Sequence, residues 1–137
     1  MGKTAVVYTC AHTKPGVSNE RADYLGKLIY DVRPDYVVDL GDATDMYSLN
    51  SYDTRYPQAI CSKSYEQDIE VHLDFQDRIR FPFKRAKKKM PDFFGIMGNH
   101  EERIVRALKL QPQLEGMKYG ISFDHLATRY YYNEYVP

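Results

Sequence analysis

Asp92-Phe93-Phe94-Gly95-Ile96-Met97-Gly98-Asn99-His100-Glu101 is the stretch that decides how this chain is read. Its first half is short and apolar, the pattern expected of a strand buried on both faces. Gly98 allows the backbone to turn sharply and another group to approach closely. An amide, an imidazole and a carboxylate follow, and Glu102 to Leu110 then reads as a helix. In a parallel α/β sheet, ligands sit in the loop after a strand's carboxyl end, and the next helix N-terminus attracts anions. An imidazole there can donate a proton to a leaving oxygen, and an amide oxygen can bind a hard cation. A plain strand-to-helix turn capped by Asn99 accounts equally well for these ten residues.

The rest of the chain narrows the choice. Its 137 residues predict one domain over 1–137, large enough to bury roughly two-thirds of its unfolded surface. Hydrophobic residues at 43% and aromatics at 14% exclude a wholly disordered chain. Lys+Arg and Asp+Glu each number 19, so no global field draws the protein to nucleic acid or to a membrane. No apolar run approaches the roughly 20 residues that span a bilayer. The N-terminus has no signal-peptide pattern, and Cys10 and Cys61 make no disulfide framework. A reducing cytoplasm is therefore the expected location. Gly2-Lys3-Thr4 resembles the end of a phosphate-binding loop but lacks the upstream glycine and strand, and is set aside.

Thr4 to Thr9 is β-branched and apolar, a first strand. Cys10-Ala11-His12 and the Pro15-Gly16 turn follow. Ser18 caps a helix that would bury Ala22, Leu25, Leu28 and Ile29. Tyr36 to Leu40 is a second strand ended by Gly41-Asp42, completing a βαβ unit with parallel pairing and a right-handed crossover. The polar stretch 43–64 has no clear period and reads as a long loop. From Tyr65 a helix carries Ile69, Leu73, Ile79 and Phe83 near one face, with a kink expected at Pro82. Lys84 to Lys89 is basic and is better explained by a solvated helix C-terminus than by a nucleic-acid patch. Ser122 to Leu126 suggests a short capped turn, and Thr128 to Val136, rich in tyrosine, an edge strand.

Three strand ends thus deliver groups able to serve a metal. The first gives Cys10 and His12, the second Asp42 with Asp45 three residues on, and the third Asn99 and His100. A carboxylate flanked by imidazole and amide ligands is a workable core for a two-metal phosphoester hydrolase. Gly41-Asp42-Ala43-Thr44-Asp45 and Gly98-Asn99-His100-Glu101 resemble the G-D-x-x-D and G-N-H-[DE] motifs of the calcineurin-like metallophosphoesterases, in the same order and at strand ends. Lys14 to Arg21 and Ser48 to Asp53 are similar to members found in bacteriophages.

That resemblance implies an α/β fold of metallophosphoesterase-like βαβ units with a mostly parallel sheet. It implies that Asp42 bridges two metals, with His12 and Cys10 on one and Asn99 on the other. His100 would then be the acid facing the leaving oxygen, supported from behind by Asp45 and Glu101. The implied ions are manganese, zinc or iron. Two departures accompany it. Cys10 stands where the family has an aspartate, and a thiolate suits zinc better than manganese or magnesium. Neither late histidine motif of the family is present, and His72 and His125 read as core or surface histidines. The expectation is the N-terminal portion of the family fold, truncated before its second sheet is complete, with an incomplete site and weak or lost activity, or no bound ion. The alternative is a non-catalytic phage binding module on the same scaffold, in the host cytoplasm. Either way, partners follow: a phosphoester substrate or nucleic acid, and a second copy or another protein covering the exposed sheet face. A membrane is not among them.

Overall fold

Four strands form a single sheet: β1 (Ala5–Tyr8), β2 (Tyr36–Asp39), β3 (Asp92–Ile96) and β4 (Glu134–Val136). The computed structural model describes residues 2–50 and 64–137. The strand order is β1-β2-β3-β4 and every neighbouring pair is parallel. The expected α/β class holds, and the apolar runs chosen as strands are strands. The expected long loop falls largely outside the described residues.

The strand order has a geometric consequence. Helix α1 (Glu20–Val32) lies between β1 and β2 in the chain, and α2 (Tyr65–Ala86) between β2 and β3. When each parallel strand is added on the same side, right-handed crossovers lay their helices on the same face. The core reflects this. Ala22 and Ile29 of α1 and Phe75, Ile79 and Phe83 of α2 pack with Val37 and Phe93 of the sheet and with Tyr131 and Tyr132. Gly26 brings the two helices into backbone contact, since a Cβ there would lie 2.7 Å from the Ile79 carbonyl oxygen. Leu28, expected in the core, is instead half exposed.

Among the described residues the opposite face is open. The expectation of strands buried on both faces is therefore corrected. Val7, Leu40, Ile96 and Val136 are 55%, 47%, 41% and 49% exposed. Register places Val7 beside Val38 and Phe94, and Ile96 beside Val136, so these side chains form one apolar surface. A parallel sheet is ordinarily covered on both sides. Here no switch in strand order sends a helix to the second one.

Helix α2 starts as its sequence prescribes, with Ser64 Oγ accepting from the Gln67 N–H at 3.3 Å. It carries acids in its first turn and Lys84 and Arg85 in its last, matching the dipole. It continues past Pro82 to Ala86, where Lys87 turns left-handed. Helix α3 (Glu102–Leu110) follows β3 as expected. The tail departs from a single edge strand: a short helix, α4 (Thr128–Tyr131), precedes β4, which is parallel. A second cluster of Met46, Ile104 and Leu126 packs with Leu49, Ile69, Leu108 and Phe123. Among the described residues no helix is long and apolar enough to cross a membrane.

Candidate functional site

Beyond β1 and β2 the backbone continues its parallel pairing without forming strand. The N–H groups of Cys10, His12 and Thr13 donate to the carbonyls of Gly41 (3.1 Å), Asp42 (2.9 Å) and Ala43 (2.9 Å), and Asp45 N–H returns to Thr13 (3.0 Å). The two loops are thereby zipped together, which fixes where their side chains emerge. The third loop is pressed against them at Gly98. A Cβ at Gly98 would fall 2.2 Å from Asp42 Oδ1, and one at Gly41 would fall 2.7 Å from the Gly98 nitrogen. Glycine is required at both positions by close approach, and at Gly41 also by its φ of +96°.

Glu101 locks the assembly from beneath. Its buried carboxylate accepts the N–H groups of Asp42 (3.0 Å), Thr44 (3.1 Å) and Gly98 (2.9 Å). Burial raises its pKa, and these backbone donors oppose the rise. Glu101 is thus a clamp across two loops, consistent with the supporting place expected of it.

The side chains above the clamp converge. Potential ligand atoms of Cys10, His12 and Asp42 all lie within 4.8 Å of one another, and so do those of His12, Asp45 and His100. His100 N–H donates to Asp42 Oδ1 at 3.0 Å. The imidazoles of His12 and His100 meet edge to face, with centroids 4.4 Å apart. Both present Nδ1 to Asp45 Oδ1, at 3.4 and 3.2 Å, and His100 Nδ1 also reaches the Asp45 carbonyl at 2.9 Å. His100, whose Nδ1–H bonds that carbonyl, carries its lone pair on Nε2 when neutral. Asp45 therefore faces two imidazoles rather than standing behind one, a closer part than its sequence position suggests.

Asn99 does not cap α3, whose first turn has no side-chain cap. Its amide lies against Asp42. With nitrogen turned inward it donates to Asp42 Oδ2 at 3.0 Å and Oδ1 at 3.3 Å. With oxygen turned inward, two acceptors face each other, an arrangement that a bridging cation satisfies. The donor set of thiol, imidazole, carboxylate and amide fits a divalent ion.

Backbone strain marks the same place. Among the described residues, seven non-glycine residues have positive φ. Arg33, Met46, Lys87 and Ala127 are ends of helices or turns. The other three are Cys10, His12 and Asp42, at 55°, 47° and 57°. Each left-handed residue costs on the order of 1–2 kcal/mol, and such strain concentrates at functional sites.

The remaining histidines lie elsewhere. His125 bonds Tyr65 Oη at 2.6 Å and the Met117 carbonyl at 2.9 Å. His72 is buried, and burial lowers its pKa to about 4, opposed in part by the Leu126 backbone. Sequence reading missed Arg103, whose Nη1 donates to the Asp45 carbonyl at 2.8 Å. Its place in the first turn of the helix after the third motif was the available signal. Compared with family models, curated proteins and solved structures, the chain finds no match.

Proposed function

We propose that this chain is a metal-dependent phosphoester hydrolase domain of the calcineurin-like type, acting on a phosphomono- or diester such as a nucleotide or nucleic acid. The observation that carries the reading is the convergence of Cys10, His12, Asp42, Asn99 and His100 at one edge of the sheet, three of them in left-handed conformation. Cys10, His12, Asp42 and Asn99 would hold the ions, manganese, zinc or iron. A divalent cation there supplies Lewis acidity toward a phosphoryl oxygen. The chain's own residues do the rest. His100 in its doubly protonated form, with Nδ1–H held by the Asp45 carbonyl, would present Nε2–H to the leaving oxygen and give it that proton, returning to the neutral ring. Arg103 holds that carbonyl in place, and Glu101 keeps the loops at fixed separation.

Hydrolysis of bis-p-nitrophenyl phosphate with added manganese or zinc tests this. Slow turnover is expected, lost in both Asp42→Ala and His100→Ala. Turnover that survives both substitutions would place the chemistry elsewhere.

A second reading is a non-catalytic interaction module, favoured by the open apolar face of the sheet. On this reading the face self-associates, in the cytoplasm of a host cell. Metal binding without any turnover, together with a dimer in light scattering that Val7→Lys dissociates, is its expected signature.

A further inference from the structure

We propose that Cys10, His12 and Asp42 form a thiolate-ligated site that selects a thiophilic divalent ion of the zinc class over manganese or magnesium. The inference deepens the metal-binding part of the reading above and rests on it, but it does not depend on hydrolysis.

Two overlapping groups compete for His12. One joins it to Cys10 and Asp42, the other to Asp45 and His100. The geometry separates them. His12 and His100 both aim Nδ1 at the same oxygen of Asp45, at 3.4 and 3.2 Å. The Asp45 carboxylate is therefore the charge both rings face, in the position of the carboxylate that metal-bound histidines ordinarily have behind them. With Nδ1 of His12 on the Asp45 side, its Nε2 would be the ligand for the other group, with the sulfur of Cys10 and the carboxylate of Asp42.

That group offers one sulfur, one nitrogen and one oxygen. Three protein ligands of this kind, with a fourth position open, are the arrangement of catalytic zinc sites. Softness decides the ion. Carboxylate, carbonyl and water suit manganese and magnesium, whereas a thiolate favours zinc. Cys10 is a free and exposed thiol, so its sulfur is accessible to an incoming ion. Its backbone also argues for a role. A left-handed φ of 55° is easier for asparagine or aspartate than for cysteine, yet cysteine stands there. The third face is closed by Asn99 and His100, which both contact Asp42.

The experiment uses the full chain, stripped with chelator and titrated with cobalt(II), zinc(II) and manganese(II). Cobalt should give a near-ultraviolet sulfur-to-metal charge-transfer band at one equivalent, and competing zinc should abolish it. Cys10→Ser should lose the band. Cys10→Asp, which suits the left-handed backbone, should fold normally, lack the band, and lower the zinc-to-manganese affinity ratio about tenfold or more. Circular dichroism of each variant confirms the fold. Ion binding without the band, or an unchanged affinity ratio in Cys10→Asp, overturns the thiolate site while leaving a metal-dependent hydrolase standing. If none of the three ions binds, both are overturned. A clean band with no phosphodiester hydrolysis upholds this site and removes only the proposed activity.

Discussion

Two buried carboxylates, Asp39 and Glu101, are satisfied in opposite ways. Asp39 closes β2 and looks into the core. It accepts the hydroxyls of Tyr132 (2.6 Å) and Tyr8 (3.3 Å) and the N–H of Gly41 (2.9 Å). Nearby, Arg80 is buried among the rings of Phe93, Tyr131 and Tyr132, and donates to the Tyr131 carbonyl at 2.6 Å and to Gln76 at 2.8 Å. This network joins side chains from helix, sheet and tail, so it closes the fold. Glu101 accepts only backbone N–H groups, all from loops that carry the candidate site. One network therefore holds the framework together, and the other shapes backbone where ligands emerge. Fold and site are underwritten by different charges, and they should fail separately.

The strongest challenge to that separation is Arg80→Ala. Removing a buried guanidinium leaves Gln76 and the Tyr131 carbonyl unpaired and empties an aromatic cage. A loss of about 3–5 kcal/mol is expected in chemical denaturation, a large share of a domain's total stability. Zinc affinity of the fraction that remains folded should be unchanged. A folded but ion-free variant would mean that the framework also shapes the site.

Acid sharpens the comparison through a third buried group. His72 has a folded pKa of about 4 against an ordinary value of 6.5. The folded state therefore binds fewer protons, and stability from this group is full above pH 6.5 and is lost as pH falls toward 4. Asp39 and Glu101 act with the opposite sign. Their pKa values are raised by burial, so their contribution declines as pH rises through the raised values. The difference between wild type and His72→Leu isolates the imidazole. It should be small at pH 7 and grow to about 3 kcal/mol in favour of leucine near pH 4. A pH-independent difference in urea midpoints across that range would show that His72 is not the acid-labile group.

Glu101→Gln probes the other side. An amide offers one acceptor oxygen where the carboxylate offered two, and turns donors toward the N–H groups of Asp42, Thr44 and Gly98. A loss of about 1–3 kcal/mol is expected, with zinc affinity reduced about 10–100-fold as the loops relax. If calorimetry finds affinity intact while stability falls, Glu101 belongs to the framework and the division between the two networks disappears.

The smallest effect is expected from Asp45→Asn. It keeps the backbone carbonyl that holds His100 but removes the carboxylate facing both rings. Stability should change by about 1 kcal/mol or less. Nitrogen-15 NMR of the imidazoles should find the His100 tautomer retained and His12 populating both. Retention of a single tautomer at His12 would show that something other than Asp45 orients it.

The chain's local chemistry carried a good deal of this. β-Branched and aromatic runs marked β1, β2 and β3, and the helical period marked α1, α2 and α3. Because parallel strands present their carboxyl ends together, the residues just after each run, Cys10 and His12, Asp42, and Asn99 and His100, could be assigned to one place before any geometry was known. Other features left no local trace. Nothing in the composition of α2 announces that Arg80 and Gln76 are core residues, since their burial depends on an aromatic cage built from β3 and the tail. The left-handed backbone at Cys10 falls on a residue with no preference for it, held there by the hydrogen bond to Gly41. The apolar character of Val38, Phe94 and Ile96 was legible, and so was an exposed sheet face, but not which of the two faces it would be. Side-chain alternation is a property of one strand, whereas which face is covered depends on the order in which strands join. Here β1-β2-β3-β4 runs in one direction, so α1 and α2 lie on the same side of the sheet.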